Sequence, residues 1–176
     1  MKNQKGFTAW FTGLPCCGKT TIAKQVVDIL KEKGYHVEHL DGDVVRQGLT
    51  SDLGFSKEDR EENLRRISFV AKLLTRNNII VLATFVSPYR KRRAKIREEI
   101  GEFVEIFVNC PVEECIRRDV KGMYKKALAG EIKDFTGVQD PYEEPENPEL
   151  ITYTDKETVE ESAKKVIKKL EELGFI

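Results

Sequence analysis

The segment at residues 13–20 constrains the fold of this chain more than any other. It matches the phosphate-binding pattern G-x-x-x-x-G-K-[ST] in full, and the matching residues are Gly13, Leu14, Pro15, Cys16, Cys17, Gly18, Lys19 and Thr20. A short apolar run ending at Phe11 precedes this phosphate loop, and a helical pattern of apolar residues follows it. The context is therefore strand, loop and helix, which predicts a nucleoside triphosphate site at their junction.

Each residue type in the phosphate loop suits the binding of phosphate. Gly13 and Gly18 leave room for backbone N–H groups to turn toward phosphate oxygens, and the positive end of the following helix dipole faces the same anion. Lys19 is expected to reach the outer phosphates, and Thr20 to supply a hydroxyl to Mg²⁺, which prefers oxygen ligands. We assign the nucleotide contacts to the motif and to Thr21 after it.

The composition excludes several classes of protein. A chain of 176 residues can bury a sizeable core, and we assign residues 1–176 to a single domain. Lys plus Arg and Asp plus Glu each number 30, so no net charge attracts nucleic acid or an anionic membrane over the whole surface. No segment approaches the roughly 18 apolar residues of a membrane span, and residues 1–5 lack the apolar core of a signal peptide. We therefore expect a cytoplasmic protein.

Apolar periodicity alternates between strands and helices along the chain. The predicted strands are residues 7–11, 36–40, 79–86, 103–108 and 150–153, and the predicted helices are residues 20–33, 56–76, 90–97, 112–119 and 156–173. The third of these strands is apolar throughout, as is typical of a strand buried on both faces of a parallel sheet. The alternation predicts a doubly wound parallel α/β sheet with the nucleotide at its carboxyl edge.

Residues 120–148 follow no regular pattern, because three glycines and three prolines interrupt them. A long irregular segment inside a compact domain is usually functional, and in a kinase it can serve as a lid that excludes water. We predict a lid at these residues. A disordered linker is the alternative, although no second domain needs linking.

Two carboxylates, Asp41 and Asp43, flank a glycine at the end of the second predicted strand, where open parallel sheets place their ligands. A carboxylate there can orient the hydroxyl that accepts a phosphoryl group and take its proton, or it can hold the Mg²⁺ shell. Ordinary turn residues are the alternative. On the next predicted helix, Arg60 and Asn63 share a face and can form an anion clamp with Arg46.

Cysteines and a basic run allow more than one interpretation. We assign Cys110 and Cys115 to the core or a helix start, since their spacing matches no zinc pattern. Cys16 and Cys17 lie near a lysine and a helix N-terminus, which lower a thiol pKa; we favour simple packing, and redox control of nucleotide binding stays open. The basic residues at 90–97 lack interleaved aromatics, so we expect a solvated helix with one or two arginines near the active site rather than an RNA-binding segment.

The phosphate loop and several further motifs resemble those of the adenylylsulfate kinase (APS kinase) family. The likeness covers nearly the whole chain, and it rests on Asp41-Gly42-Asp43, Leu53-Gly54-Phe55-Ser56, Ser87-Pro88-Tyr89-Arg90, Arg118-Asp119-Val120-Lys121-Gly122, Phe135-Thr136-Gly137 and Pro145-Glu146-Asn147-Pro148. The resemblance implies a P-loop NTPase fold with a lid. It also implies transfer of the γ-phosphoryl group of ATP to the 3'-hydroxyl of adenosine 5'-phosphosulfate (APS), which gives PAPS and ADP.

The resemblance further implies roles for single residues. Phe55 and Phe135 resemble two aromatic walls around the adenine of APS, a use that suits large apolar rings. The implied acceptor contacts are Asp43, Arg46, Phe55, Arg60, Asn63, Val86, Ser87, Lys121, Thr136 and Gly137. We assign catalysis to Asp43, Asp41, Lys19 and Ser87, and the Mg²⁺ contacts, partly through water, to Thr20 and Asp41.

The family's serine at the position of Ser87 is described as a phosphoserine intermediate, but we favour direct in-line transfer because phosphoryl transfer needs positioning and charge neutralisation most. The chain departs from the family at its loop cysteines and at Leu128, where arginine is usual. The resemblance also implies a homodimer and a stand-alone form without a sulfurylase domain. From the zero net charge and the lack of a membrane span, we expect neither nucleic acid nor membrane as a partner. Another small-molecule P-loop kinase and an inactive nucleotide-binding module stay open as alternatives.

Overall fold

Five strands and seven helices make up residues 4–176, the part of the chain that the computed structural model describes. Residues 1–3 of the segment considered for a signal peptide therefore lie outside the described residues. The strands are β1 (Phe7–Thr12), β2 (Val37–Asp41), β3 (Ile80–Thr84), β4 (Phe103–Asn109) and β5 (Leu150–Tyr153). The helices are α1 (Lys19–Glu32), α2 (Gly42–Gln47), α3 (Lys57–Arg76), α4 (Arg90–Ile100), α5 (Val112–Arg118), α6 (Met123–Leu128) and α7 (Val159–Glu172).

The strands form one parallel sheet in the order β2-β3-β1-β4-β5. β1 lies at the centre, where Ala9 pairs with Leu82 of β3 and with Val104 of β4. The chain order of the strands reverses on either side of β1, and ligands of open α/β sheets bind at such a point. The position of β1 thus places the phosphate loop at the middle of the carboxyl edge.

Helices cover both faces of the sheet and form two apolar cores. Alternate side chains of β1 point to opposite faces, so Phe11 lies in the core with α1 and α7 while Trp10 lies in the core with α3 and α4. This two-sided cover confirms the predicted doubly wound α/β fold. Within residues 4–176, no helix combines the length and the apolar character that crossing a membrane requires.

Caps and one turn account for the element boundaries that differ from the predicted ones. α3 begins after Ser56, whose Oγ accepts a hydrogen bond from the N–H of Asp59 at 3.1 Å, as predicted for a cap. α7 begins later than predicted, because Thr158 and Glu161 form a capping box at its start. β3 is shorter than predicted, since the chain leaves the sheet after Thr84.

The structure contains two short helices that are not among the predicted ones. α2 follows Asp41 directly, because the Asp41 side chain accepts from the N–H of Asp43 and caps the first turn. α6 lies inside the lid, and the carboxylate of Asp119 accepts from the N–H groups of Tyr124 and Lys125, both at 3.0 Å. The prediction of irregular chain over residues 120–148 is therefore wrong for α6.

The basic helix α4 is less solvated than predicted, because Arg92 and Arg93 are buried. The guanidinium of Arg93 donates three hydrogen bonds, from Nε to Glu105 Oε1 at 2.9 Å, from Nη1 to the Ser87 carbonyl at 2.6 Å and from Nη2 to the Glu143 carbonyl at 2.5 Å. These partners belong to β4, to the loop after β3 and to the lid. Arg93 thus links β4, the loop after β3 and the lid through hydrogen bonds near the carboxyl edge of the sheet.

Candidate active site

The phosphate loop joins the end of β1 to the start of α1 through strained glycine positions. Gly13 has a φ of 152°, and a Cβ there would lie 2.4 Å from the carbonyl oxygen of Val108 in β4. Only glycine permits this approach of two backbones. Gly18 has a φ of 102° and turns the chain into α1, whose first N–H groups lack helical partners and are free for an anion.

Lys19 lies folded over the phosphate loop. Its Nζ donates to the carbonyls of Gly13 at 3.0 Å and Leu14 at 2.7 Å, and the side chain is buried. A buried ammonium held at the mouth of the loop is placed to neutralise the charge of phosphate oxygens, which suits the role that the motif predicts.

The predicted metal residues, Thr20 and Asp41, contact each other. Thr20 Oγ1 donates to Asp41 Oδ2 at 2.7 Å, and Thr84 Oγ1 donates to the same oxygen at 3.0 Å. Burial alone would raise the pKa of Asp41, but hydrogen bonds from Thr20, Thr84 and the Asp43 amide outweigh it and hold the pKa below its usual value. The Asp41 carboxylate is therefore ionised at neutral pH.

This pair suits Mg²⁺ rather than a metal bound by protein groups alone. In residues 4–176, no group of three or more His, Cys, Asp or Glu side chains could hold a metal ion. Mg²⁺ usually takes one or two protein oxygens and completes its shell with phosphate oxygens and water. One hydroxyl and one carboxylate beside a phosphate loop fit that requirement.

Asp43 faces the lid, in a different environment from Asp41. Its side chain is mostly exposed and forms an ion pair with Lys121, which lies between α5 and α6. Two residues that the resemblance assigns to the acceptor are thus brought together across the cleft. The exposed carboxylate of Asp43 is accessible to a substrate, whereas that of Asp41 is buried and bonded to Thr20 and Thr84.

Arg46 and Phe55 form a second acceptor-side pair. The Arg46 guanidinium lies 4.3 Å from the centre of the Phe55 ring, and its Nη1 donates to the carbonyls of Leu53 at 3.3 Å and Gly54 at 3.0 Å. The Phe55 side chain is 62 % exposed, which is unusual for a phenylalanine. An exposed ring beside an oriented cation is suited to stacking on a flat, polar ligand.

Arg60 connects α3 to the lid. Its Nη1 donates to Thr136 Oγ1 at 3.2 Å and to Asp140 Oδ2 at 3.0 Å, and the hydroxyl of Tyr89 donates to both oxygens of Asp140. The sequence analysis did not identify Asp140, because its partners lie far away in the chain. Two buried polar atoms, Arg60 Nε and Asn63 Oδ1, have no hydrogen-bond partner. Such atoms are rare in folded proteins, and a ligand or a water molecule can supply the missing partner. Arg92 Nε, Arg92 Nη2 and Thr152 Oγ1 share this property.

The lid turn, which we define as residues 135–140, lies against the phosphate loop. The N–H of Gly137 donates to the carbonyl of Asp140 at 2.8 Å and closes the turn. A Cβ at Gly137 would lie 3.0 Å from Leu14 Cδ2 in the phosphate loop, and φ at this residue is 91°. The structure thus brings predicted acceptor residues of the lid next to the predicted ATP site.

Ser87 is turned into the protein interior. Its backbone has a φ of 40°, its Oγ accepts from Trp10 Nε1 at 3.0 Å, and the same hydroxyl donates to Thr12 Oγ1 at 3.0 Å. Thr12 also donates to the carbonyl of Val86 at 2.8 Å. These bonds fix the loop that follows β3 and direct the Ser87 hydroxyl toward the end of β1.

A cavity of about 360 Å³ lies between the phosphate loop and the start of α7. It is lined by Cys16, Gly18, Thr21, Ile22, Arg118, Val120, Thr154, Glu157, Thr158, Val159 and Ser162. Arg118 donates to Thr154 Oγ1 at 3.1 Å and to its carbonyl at 2.7 Å, and Thr154 Oγ1 donates to the Cys17 carbonyl. The analysis of sequence identified Arg118 only as part of a motif and did not identify Thr154 as a site residue.

Of the two interpretations of the phosphate-loop cysteines, the structure supports packing for Cys17. Cys17 is fully buried, and burial raises the pKa of its thiol although Lys19 acts in the opposite direction. The expectation of a lowered thiol pKa is therefore wrong for Cys17, and its packing role is confirmed. Cys110 and Cys115 are also buried, as predicted, and burial raises the pKa of Cys115 well above its usual value.

Comparison with known proteins identifies the family. The model of the adenylylsulphate kinase family matches residues 5–153. An adenylyl-sulfate kinase from Halothermothrix orenii is 66 % identical over 176 residues, which cover 100 % of this chain and 95 % of the relative. These matches confirm the resemblance found in the sequence motifs.

Solved structures agree with this assignment. The APS kinase of Mycobacterium tuberculosis, solved in complex with AMPPNP and APS, is 46 % identical, with a TM-score of 0.91 over 96 % of this chain and 99 % of that chain. The hexameric APS kinase from Thiobacillus denitrificans is 36 % identical, with a TM-score of 0.76 over 98 % of this chain and 30 % of that chain. From the family model, the relatives and the fold together, the chain belongs to the adenylylsulphate kinase family of P-loop kinases.

Proposed function

We propose that this protein transfers the γ-phosphoryl group of ATP to the 3'-hydroxyl of APS and releases PAPS and ADP. The observation that carries the proposal is the meeting of two half-sites: a complete phosphate loop and, across the lid turn, Arg60 and Asn63 with unpartnered buried atoms. One half suits a triphosphate, and the other suits an acceptor with several oxygens. The M. tuberculosis relative was solved with both kinds of ligand.

On the donor side, ATP would bind with its phosphates in the loop and its base in the 360 Å³ cavity. The N–H groups at the start of α1 and the ammonium of Lys19 would hold the β- and γ-phosphates, and Thr21 lines the cavity beyond them. Thr20 and Asp41 would hold Mg²⁺, which neutralises developing charge on the phosphates when it is bound.

On the acceptor side, Phe55 and Phe135 would enclose the adenine of APS, and Arg46, Arg60 and Asn63 would bind its phosphosulfate and ribose. Forked guanidinium donors suit an anion with several oxygens better than a lysine does. The further contacts proposed are Val86, Ser87, Lys121, Thr136 and Gly137. Because the bond of Arg60 to Asp140 uses only Nη1, acceptor binding would use the N–H groups of the guanidinium that this bond leaves free.

The Asp43→Asn variant is expected to bind ATP normally and to lose roughly 10²-fold in turnover, as for removal of a general base. The ion pair of Asp43 with Lys121 is exposed and contributes at most about 1 kcal/mol to stability, so the fold should be unaffected. Steady-state ADP release and ATP affinity test this prediction. Asp28→Asn on the exposed side of α1 is the matched control, and near-normal turnover in Asp43→Asn would remove this residue from the chemistry.

The Ser87→Ala variant is expected to keep turnover within roughly tenfold of the parent, because direct transfer needs no serine nucleophile. Its stability should fall by about 0.5–1.5 kcal/mol for each hydrogen bond lost from the buried Oγ. Turnover, thermal unfolding and mass spectrometry of the parent incubated with ATP would be measured, with Ser51→Ala in an exposed turn as control. A trapped phosphoserine together with an inactive variant would favour the covalent route.

The proposed activity is tested by ADP release from Mg-ATP with APS as acceptor, beside AMP, adenosine, gluconate and shikimate at matched concentrations. Turnover with APS alone is the expected result. Turnover with gluconate or shikimate would support another small-molecule kinase, and the acceptor clamp would then be wrongly assigned. Absence of turnover with any acceptor would support the inactive binding module.

The homodimer stays a prediction from the resemblance, and the cytoplasmic location stays a prediction from the composition. The T. denitrificans relative is described as hexameric, so assembly differs from that prediction in at least one member of the family.

A further inference from the structure

We infer that Tyr124 is a positioning residue that couples the two substrate sites, so that a nucleotide in the phosphate loop changes the affinity for the acceptor. The inference rests on the proposed function, because it takes Phe135 as a wall of the acceptor site. Tyr124 belongs to α6, the short helix within the lid, and its side chain is fully buried. It contacts both sites through different parts of the same side chain.

The hydroxyl of Tyr124 holds the phosphate loop. It donates to the carbonyl of Pro15 at 3.1 Å. That carbonyl belongs to the peptide before Cys16, which has a φ of 61°, so the bond restrains a peptide that precedes an unfavourable backbone conformation. Burial raises the pKa of Tyr124, so the hydroxyl keeps its proton and stays a donor at neutral pH.

The ring of Tyr124 supports the lid turn. It lies edge-on to the ring of Phe135, with 5.0 Å between the ring centres and 80° between the planes. A Cβ on Gly137 would lie 3.4 Å from the Tyr124 hydroxyl oxygen, so the backbone of the turn packs closely against the same side chain. A shift of the phosphate loop that moves Tyr124 must therefore move or loosen the turn.

Hydrogen bonds at both ends of α6 make this connection stiff. Asp119 accepts from the Tyr124 N–H at the start of the helix. Near its end, Gln139 Nε2 donates to the Ala127 carbonyl at 2.9 Å, while Gln139 Oε1 accepts from the Phe135 N–H at 3.1 Å. The helix and the lid turn are thus bonded to each other independently of the aromatic contact. Packed elements of this kind transmit a displacement rather than absorb it.

The coupling is measured as a ratio of two APS affinities. Calorimetric titration gives the Kd of APS for the protein alone and for the protein saturated with ADP and Mg²⁺. ADP has no γ-phosphoryl group, so it cannot react with APS by the proposed route. In the parent we expect the two Kd values to differ by about 5-fold or more, the lower end of ordinary coupling between sites. Reciprocity requires APS to change the ADP affinity by the same factor.

The variant Tyr124→Phe keeps the ring and removes only the bond to the phosphate loop. We expect it to reduce the coupling factor by roughly 2–10-fold, the range for one neutral hydrogen bond. The matched control is Tyr153→Phe, since Tyr153 is 40 % exposed at the end of β5, and its coupling factor should equal that of the parent.

A second readout serves if the variant is less stable than the parent. Hydrogen exchange in the lid turn should slow when ADP alone binds the parent, and this protection should be smaller in Tyr124→Phe. If parent and variant both bind APS but show equal coupling or equal protection, the inference is overturned and the proposed function is not. The same holds if the parent binds APS with equal affinity in the presence and absence of ADP. A parent that binds no APS in either condition would overturn the proposed function, and the inference with it.

Discussion

Replacing Lys19 by methionine will reduce turnover by roughly 10³-fold while the protein stays folded. Methionine has an unbranched chain of similar length, so the variant removes the ammonium and little volume. The lost charge lies at the mouth of the phosphate loop, where charge on the transferred group would otherwise be uncompensated. Steady-state turnover with Mg-ATP and APS, measured beside the thermal unfolding midpoint, tests this prediction.

A matched control is available on the same helix. Lys24 is exposed on α1, in the turn that follows Lys19, and Lys24→Met should leave turnover unchanged. If turnover in Lys19→Met stays within tenfold of the parent, the ammonium only donates hydrogen bonds to the carbonyls of Gly13 and Leu14 and takes no part in catalysis. The assignment of Lys19 to the catalytic groups would then be withdrawn.

The Arg93→Met variant is expected to lose about 3–5 kcal/mol of unfolding free energy, the usual effect of removing one partner of a buried ion pair. Glu105 would keep only Arg97 at 3.6 Å as a cationic partner, and the carbonyls of Ser87 and Glu143 would each lose a donor. Urea denaturation with a two-state fit measures the change.

The control for this prediction is an arginine in an exposed pair. Arg117→Met removes an ion pair with Glu114 from the surface, where such pairs contribute little to stability, so its free energy of unfolding should equal that of the parent. The double variant Arg93→Met with Glu105→Gln should recover part of the loss, because it removes the carboxylate left buried and unpaired. A loss below about 1 kcal/mol in Arg93→Met would show that Arg97 can replace it.

The features that were predictable from sequence are those encoded within a few neighbouring residues. The phosphate loop is one contiguous motif, and β3 is one apolar run, so neither depends on distant parts of the chain. The cap at Ser56 is likewise local, since its partner is the N–H of Asp59. The alternation of such local elements then determines the class of fold, because parallel strands need crossover helices.

Features that depend on distant partners were not predictable. Arg93 is buried because Glu105 and Glu143 meet it, and these lie 12 and 50 residues away. Asp140 acts on Arg60 from 80 residues away. Neither pairing leaves a periodic signal in the sequence, so a run of basic residues looks like a solvated helix and Asp140 looks like an ordinary lid residue.

Burial also reverses one inference from sequence. The nearness of Lys19 and a helix N-terminus predicts a lowered thiol pKa at Cys17, but the side chain lies in the core and burial outweighs both effects.

The helix α6 also depends on burial that the sequence does not reveal. Six residues rarely hold a helix alone, and this one depends on Asp119 and on the burial of Tyr124.

The central place of β1 affects how the chain is made. Phe7–Thr12 is synthesised well before both of its neighbours in the sheet, Ile80–Thr84 and Phe103–Asn109. At about 5–20 residues per second, the first neighbour follows after roughly 3–14 s. During this interval the nascent chain carries an apolar segment without its native pairing, and such segments are what chaperones bind. The sheet can therefore assemble around its central strand only after β4 has been synthesised.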